Sequence, residues 1–525
     1  MKRSAAAFFI SVAVLAAGHG VRADGPDEHA GRAQEYILAN DFDEARKELA
    51  RGKPDDVGIA TERARLALYE ADCDGALVTL SSPDVAKTEQ GAMLADIARG
   101  CARITAATVL EEDRDQGVWI RYQDENDRTL TPLLIETVVK AREALTRDLG
   151  ATWPKPTRIV VVRDLLSLSA MTGLPYESAQ TTGTVAVAKW GRVTLLSPRA
   201  SNHGYSWRDT VAHELTHLAV TRATIDRAPL WLQEGVAKRE EVRWREPGPF
   251  DDRPSPDAIA ARGIELKLDL PLDKLGPSIA MLPSADAALV AFSEVASFVR
   301  FFASSTPPGS LERLFAALRD GKEPDSALEI ASSGNLKQWD TKWRAYLQSK
   351  PKEPLPPLLS LGKAPPPSTT APNAKAPSLR DVRERMRLAE LLLARKHPTE
   401  ALSELDRLQT GAPQDDPSYR ELRGRVLMAF GDPGRTKEAE VLFQDPKEVL
   451  TSYGPWWALR GVLARSRNDE AIAEPSFAEA VATDPFDVEA ACETLDADSS
   501  TPPSKDPSPL CQTARAWKVP SGTED

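Results

Sequence analysis

The amino-acid sequence predicts an α+β protein, in which a small mixed sheet and its helices are flanked on both sides by all-α helical-repeat regions. Three observations support this class. Alanine, leucine and arginine recur at intervals of three and four residues near both ends of the chain, as in amphipathic helices. Short β-branched runs replace that pattern in the middle of the chain. The 525 residues are too many for one core, so several folding units are expected.

The first 23 residues have the pattern of an export signal. Lys2 and Arg3 precede an apolar run from Ala5 to Ala17, and Val21-Arg22-Ala23 places a small residue for cleavage. A run of about 13 apolar residues is short for a membrane span, although an uncleaved N-terminal anchor is the alternative. We expect secretion through a Sec-type signal to the periplasm or the cell exterior, with no membrane span in the mature chain.

The net charge limits which partners are expected, and the cysteine content indicates which metal sites and disulfides are expected. The formal net charge of -12 leaves no overall basic surface for phosphates, so nucleic acid is not an expected partner. Two local disulfides, Cys73 with Cys101 and Cys492 with Cys511, are the economical expectation for an exported chain with four cysteines. A tetrathiolate zinc site is disfavoured because no spacing is CxxC.

Residues 24–111 are predicted to be the first helical-repeat region, similar to tetratricopeptide repeats. Breaks at Asn40-Asp41, at Lys53-Pro54-Asp55 and at Ser82-Pro83 divide the region into short helices, which we expect to pair antiparallel. The match to the repeat pattern is weak. The residues that carry it are Tyr36, Leu38, Ala45 and Leu49.

Residues 112–349 are predicted to be the α+β domain. Val118–Tyr122 and Ile159–Val162 are short strand-like runs. Between them, Leu133–Leu149 has helical periodicity that ends at Gly150. A strand, helix, strand order is therefore expected.

A predicted hairpin and two predicted helices follow in this domain. Thr184–Ala188 and Arg192–Leu196 are strand-like runs, and the edge of such a sheet offers backbone groups to an extended substrate. Trp207–Val220 has a helical pattern, and Pro229 begins a second helix that extends to Glu241. Later helical patterns lie at 285–304, 309–319 and 335–348.

The C-terminal part divides into a linker and a second repeat region. Residues 350–378 are rich in proline and predict an extended linker without a core. Residues 379–525 are predicted to be a second, diverged tetratricopeptide-like region. The residues that match the repeat are Trp457, Gly461, Ala473, Phe477, Ala480 and Pro485. The residues that depart from it are Arg460, Ala464 and Pro475.

An HELTH segment carries the expected chemistry. His213 and His217 lie four residues apart, so on a helix they present two imidazoles to one metal ion. The downstream segment APLWLQEGVA supplies Glu234 as a third ligand, which completes the protein ligands of a catalytic Zn2+ site. Glu214 lies beside the open position and is the expected general base for a zinc-bound water. The alternative is that the two histidines are ordinary polar residues on a helix.

Neighbouring residues have less certain roles. Asp209, one turn before His213, is either a partner of a metal ligand or an exposed cap. The small Gly235 and Ala237 would let the second helix pack close to the HELTH helix. Tyr205 or His203 could stabilise an oxyanion, although each has a surface or packing role as the alternative.

HELTH and PLWLQEGVA together resemble the gluzincin zinc metallopeptidases, and specifically the peptidase MA-like domain of exported bacterial proteins, which is often found beside tetratricopeptide repeats. The resemblance covers about residues 115–348. It implies a gluzincin-like fold, zinc bound by His213, His217 and Glu234, and hydrolysis of peptide bonds in protein or peptide substrates with Glu214 as the base.

Two departures from the family pattern bear on activity. The GxMEN segment of aminopeptidase relatives is absent, which favours an endopeptidase. Where such domains often carry an aromatic hydroxyl, this chain has Phe292. An exported helical-repeat scaffold that binds protein partners, with a structural or catalytically silent zinc site, is therefore the alternative function.

Overall fold

The computed structural model describes residues 28–201, 204–248, 251, 254–352, 379–408, 416–444, 453–493 and 508–517. Within them a five-stranded mixed sheet is combined with many helices, which confirms the α+β class. The predicted export signal and nearly all of the predicted linker lie outside the described residues.

The N-terminal region consists of six helices. Three of the five breaks between them fall at the predicted positions, whereas the breaks at 70–72 and 87–88 were not predicted. The side chains of Asp56, Asp72 and Thr88 cap three of the helices by accepting backbone N–H groups. The predicted disulfide between Cys73 and Cys101 is confirmed. The helices are α1 Glu28–Leu38, α2 Phe42–Arg51, α3 Val57–Tyr69, α4 Cys73–Leu80, α5 Pro83–Ala86 and α6 Glu89–Thr105.

The sheet has the strand order β1-β2-β3-β5-β4. β2, β3 and β5 run parallel, while the outer strands β1 and β4 pair antiparallel with their neighbours. The strands are β1 Val109–Asp113, β2 Val118–Tyr122, β3 Thr157–Val162, β4 Ala186–Lys189 and β5 Arg192–Leu196. β1 was missed by the sequence analysis and begins inside the region predicted to be helical, because its acidic, half-exposed residues lack the apolar signature of a strand.

The helices of the α+β domain follow the predicted order. Gly150 ends α7 in the left-handed conformation, as predicted. The predicted patterns at 285–304, 309–319 and 335–348 correspond to α13, α14 and α16, whereas α8, α9, α12 and α15 were not predicted. The helices are α7 Thr131–Leu149, α8 Leu165–Thr172, α9 Tyr176–Thr182, α10 Trp207–Thr224, α11 Leu230–Glu240, α12 Pro256–Leu266, α13 Ala285–Ser305, α14 Ser310–Arg319, α15 Pro324–Ser332 and α16 Leu336–Ser349.

Both faces of the sheet are covered, and this determines how the N-terminal helices are placed. Ile159 and Val161 of β3 belong to the core that α7 and α10 form. Val160 and Val162, which alternate with them, belong to a second core with the N-terminal helices. The N-terminal region is therefore a layer of the same body and shares a core with the α+β domain.

The helix α13 is long and apolar enough to cross a membrane, by length and composition. In the protein, 61% of its most apolar window is buried. Phe298 and Phe302 are fully buried in the main core. This burial identifies α13 as a core helix. The sequence analysis predicted a helix here but did not predict its burial.

Eight helices make up the described part of the C-terminal unit, which we define as residues 379–517. Gly461 lies against the ring of Phe477, so α21 and α22 pack closely, as two of the predicted repeat positions require. The predicted disulfide between Cys492 and Cys511 joins α23 to α24 and is confirmed. The helices are α17 Leu379–Ala394, α18 Pro398–Asp406, α19 Pro417–Met428, α20 Pro433–Val441, α21 Gly454–Arg465, α22 Glu470–Thr483, α23 Val488–Glu493 and α24 Pro509–Trp517.

Candidate metal centre

The two histidines of the HELTH segment lie one turn apart on α10. Their Nε2 atoms approach to 3.2 Å. Both side chains are largely buried, with 11% of His213 and 16% of His217 exposed. Two imidazoles that converge inside the protein do not behave as ordinary polar residues of a helix surface. The arrangement is that expected of a pair of metal ligands.

Glu234 on α11 lies beside the two histidines and is the third predicted ligand. Its Oε2 atom lies 3.5 Å from Nε2 of His213 and 3.4 Å from Nε2 of His217. Ligand atoms placed tetrahedrally around zinc, at bond lengths of 2.0–2.1 Å, are separated by about 3.3 Å. The three predicted ligands therefore fit a zinc ion in both donor type and spacing.

Glu214 lies in the same group but in a different environment. A carboxylate oxygen of Glu214 and one ring nitrogen from each histidine lie within 4.8 Å of one another. Glu214 also accepts a hydrogen bond from the backbone N–H of Ala188 on β4. It is 6% exposed. Glu214 is thus placed next to both histidines and to β4.

The two carboxylates of the centre differ in basicity. Burial raises the pKa of Glu214, and the charges of His217 and His213 offset only part of that effect. Burial also acts to raise the pKa of Glu234, but the charges and hydrogen bonds of the same histidines hold it well below its usual range. Glu234 therefore stays ionised, as suits a metal ligand, and Glu214 is the better proton acceptor.

The distal nitrogens of both histidines have partners that the sequence analysis missed. Nδ1 of His213 lies 3.1 Å from Oε2 of Glu241. Nδ1 of His217 lies 3.3 Å from Oε1 of Gln233. Such contacts fix each ring so that Nε2 is available to the metal. A signal was present in the sequence, because Gln233 directly precedes Glu234 on the same helical segment.

Lys238 supports the first of these contacts. Its Nζ donates to both carboxylate oxygens of Glu241, at 2.6 and 2.8 Å. Burial opposes ionisation of Glu241, but Lys238 and His213 together lower its pKa to about 2. Burial likewise opposes protonation of His213, but Glu234 and Glu241 raise its pKa to about 9. A permanent negative charge therefore faces the outer side of His213.

Two predictions about neighbouring residues were wrong. Asp209 is neither a partner of a ligand nor an exposed cap, because it accepts hydrogen bonds from Trp244 at 2.9 Å and from Arg245 at 2.9 and 2.8 Å. Gly235 faces α13 and not α10, with Val295 and Val299 at its Cα. In both cases the partner lies far along the chain, where local spacing carries no information.

The groups considered for oxyanion stabilisation have these positions. Phe292 packs edge-on against His213, with ring centroids 6.5 Å apart, so an aromatic ring without a hydroxyl lies beside the centre. The hydroxyl of Tyr205 donates to the backbone carbonyl of Leu196. His203 lies outside the described residues. Of the candidates that are described, neither directs an uncommitted hydroxyl at the ligands.

Comparison with known proteins does not assign the chain to a family. No protein-family model matches the chain, and no curated protein matches it. The function is therefore inferred from the three converging ligands, the neighbouring base and the sheet edge beside them.

Proposed function

We propose that the protein is an exported zinc metallopeptidase of the gluzincin type, with a peptidase MA-like domain at residues 112–349. The observation that carries the proposal is the triangle of His213, His217 and Glu234, whose ligand atoms lie 3.2 to 3.5 Å apart. That spacing suits a tetrahedral zinc ion with one position left for water or substrate.

Each residue of the centre has a role in peptide hydrolysis under this proposal. His213, His217 and Glu234 would hold the zinc ion. A zinc ion bound there would acidify water and polarise a carbonyl group. Glu214 would take the proton of the attacking water and pass it to the leaving amine. Its raised pKa suits this exchange, because a base must release the proton that it accepts.

The sheet edge supplies a place for an extended peptide. Among the described strands, β4 pairs only with β5, so its outer edge is unpaired. A peptide that added to this edge as a further strand would lie next to Glu214, because Glu214 already accepts the N–H of Ala188 on β4. An edge that accepts a peptide in mid-chain favours an endopeptidase.

The decisive comparison is between the native protein and the Glu214→Gln variant. Zinc content would be measured by elemental analysis, and cleavage would be followed on an unfolded protein substrate. Glu214→Gln should retain zinc and lose about a hundredfold or more of the activity, since it removes the general base but no ligand. Glu246→Gln, an exposed site beyond α11, should match the native protein. Zinc in both proteins with no cleavage by either, across a broad peptide library, would contradict the proposal.

A helical-repeat scaffold with a catalytically silent zinc site is the second candidate. Two observations favour it: Phe292 carries no hydroxyl at the centre, and the hydroxyl of Tyr205 is bonded to Leu196. This candidate predicts that cells which express only Glu214→Gln keep the biological effect of the protein. Loss of that effect, with zinc retained, would exclude it.

A further inference from the structure

The C-terminal unit packs into the core that contains the metal centre. Phe486, just after α22, is 6% exposed and belongs to the main core of the α+β domain. The guanidinium of Arg199 lies over its ring at 5.3 Å. Arg199 is itself held by Asp127 at 2.7 Å and by Asp124 at 2.9 Å. The two parts of the chain therefore share an apolar contact framed by buried charges.

Three further contacts lie on the segment that leads into α10 and on its first residue, Trp207. The N–H of Tyr205 donates to the carbonyl of Thr483 at 2.9 Å. The indole Nε1 of Trp207 donates to the carbonyl of Val481 at 3.4 Å, and Trp207 is fully buried. Gly204 has a φ of +71°, and a Cβ at this position would overlap the carbonyl of Thr483. The end of α22 thus lies directly on residues 204–207, which we call the docking segment.

The docking segment is connected to the catalytic groups. The hydroxyl of Tyr205 donates to the carbonyl of Leu196 at the end of β5. Burial raises the pKa of Tyr205 well above its ordinary value, and the negative charges of Asp127 and Glu214 act in the same direction. Tyr205 thus joins the C-terminal unit, which holds its backbone, to the end of β5, and it directly precedes the helix that carries Glu214.

We propose that the C-terminal unit acts in cis as a clamp. It holds the docking segment through Val481 and Thr483, with Phe486 anchored in the main core, and so positions Tyr205 at the start of the HELTH helix. This inference rests on the proposed function for its effect on turnover. Tyr205 is a positioning residue here, since its hydroxyl is bonded to Leu196 and is not directed at the metal ligands. The ligands themselves lie further along α10 and on α11, so zinc binding should not depend on the clamp.

The full-length Gly204→Ala variant tests the contact. Its Cβ would overlap the Thr483 carbonyl and separate the two units. Gly431→Ala is the matched control, because Gly431 has a similar φ of +66° and open space around it, so it shares the backbone strain without the overlap. Amide hydrogen exchange of peptides that cover residues 204–212 should accelerate about tenfold or more in Gly204→Ala only. Unchanged exchange would show that the contact is not held in solution.

Turnover and zinc content test the positioning. In Gly204→Ala we expect zinc content and KM close to native and kcat reduced about tenfold or more, because small misplacement near a base is costly. Faster exchange with unchanged kcat would overturn the coupling, and loss of zinc would show a general structural role. A native protein that holds zinc but cleaves nothing would remove the proposed function and the turnover claim together. The exchange measurement would still decide whether the clamp exists.

A second pair of variants tests the same contact in case Gly204→Ala does not fold. Phe486→Ala removes the apolar anchor that Arg199 covers, whereas Phe486→Leu keeps most of its volume. Phe486→Ala should reproduce the exchange and kcat changes of Gly204→Ala. Phe486→Leu should keep both the exchange rate and kcat close to native. Equal behaviour of the alanine and leucine variants would contradict an anchor at this position.

Discussion

The outer nitrogens of the two histidines in the proposed metal site are held by chemically different groups. Glu241 faces His213 and is a permanent anion because Lys238 holds both of its oxygens. Gln233 faces His217 and is neutral. A carboxylate behind an imidazole makes the ring a stronger ligand, whereas an amide mainly fixes its orientation. His213 is therefore expected to be the more firmly held ligand of the pair.

Glu241→Gln tests this difference at the scale of one residue. The change keeps an oxygen that can accept the His213 N–H but removes the negative charge. We expect zinc affinity to fall by about 10- to 100-fold, as measured by competition with a chromogenic chelator. Glu246→Gln is the control, since it removes the same charge from an exposed residue beyond α11. Equal affinities for the two variants would show that the Glu241 charge does not act on the metal.

At the scale of the elements, the centre depends on how closely α11 approaches its neighbours. α11 carries Glu234, Gln233 and the segment that leads to Glu241, so a shift of this helix moves one ligand and two ligand partners together. Its close contact is made at Gly235, where the backbone lies against Val295 and Val299 of α13. The apolar α13 therefore acts as the surface on which the third ligand is positioned.

Gly235→Ala should disturb this contact. The added methyl would overlap Val299 and the carbonyl of Val295, so we expect a loss of about 1–3 kcal/mol of unfolding free energy together with weaker zinc binding. The midpoint of urea unfolding and a zinc titration would measure both effects. Gly31→Ala on α1 is the control, because it has open space around it and should stabilise the protein slightly. Zinc binding that stays native in Gly235→Ala would show that α11 adapts without moving Glu234.

At the scale of the whole molecule, three segments that appear separate in the sequence form one body. The N-terminal helices share a core with the sheet, and Phe486 and Leu510 of the C-terminal unit pack against the main core. The interface with the C-terminal unit also holds a half-buried carboxyl group, Asp484, whose Cβ lies against Gly204. Burial and the charge of Asp487 raise the pKa of Asp484 to about 7, although the N–H groups of Phe486 and Asp487 act to lower it.

This raised pKa predicts how stability depends on pH. Folding favours the protonated form of Asp484, so its contribution is complete below about pH 4 and is lost as pH rises through 7. Asp484→Asn should remove this dependence, because the amide keeps an oxygen for the Phe486 N–H but cannot ionise. Between about pH 5 and pH 8, the thermal midpoint of the native protein should fall relative to that of the variant. Parallel curves for the two proteins would contradict the assignment.

Local sequence patterns were sufficient to predict many of the strands and helices of this protein. β2, the hairpin of β4 and β5, and the end of α7 at Gly150 were predicted because each is specified by neighbouring residues. The same holds for the disulfides, which link cysteines 28 and 19 residues apart. β1 escaped prediction because an edge strand of acidic residues is defined by the strand that it pairs with, and pairing is not a local property.

The sequence by itself determined the donor set of the centre, because the spacing of His213, Glu214 and His217 is a property of one helical turn and Glu234 belongs to a recognisable helix start. Only the tertiary structure decided which groups stand behind those ligands, that Asp209 binds Arg245, and that the C-terminal unit reaches the segment before α10. The physical reason is common to all three. Each depends on packing between elements distant in the chain, and side-chain periodicity records which face of a helix is buried but not what buries it.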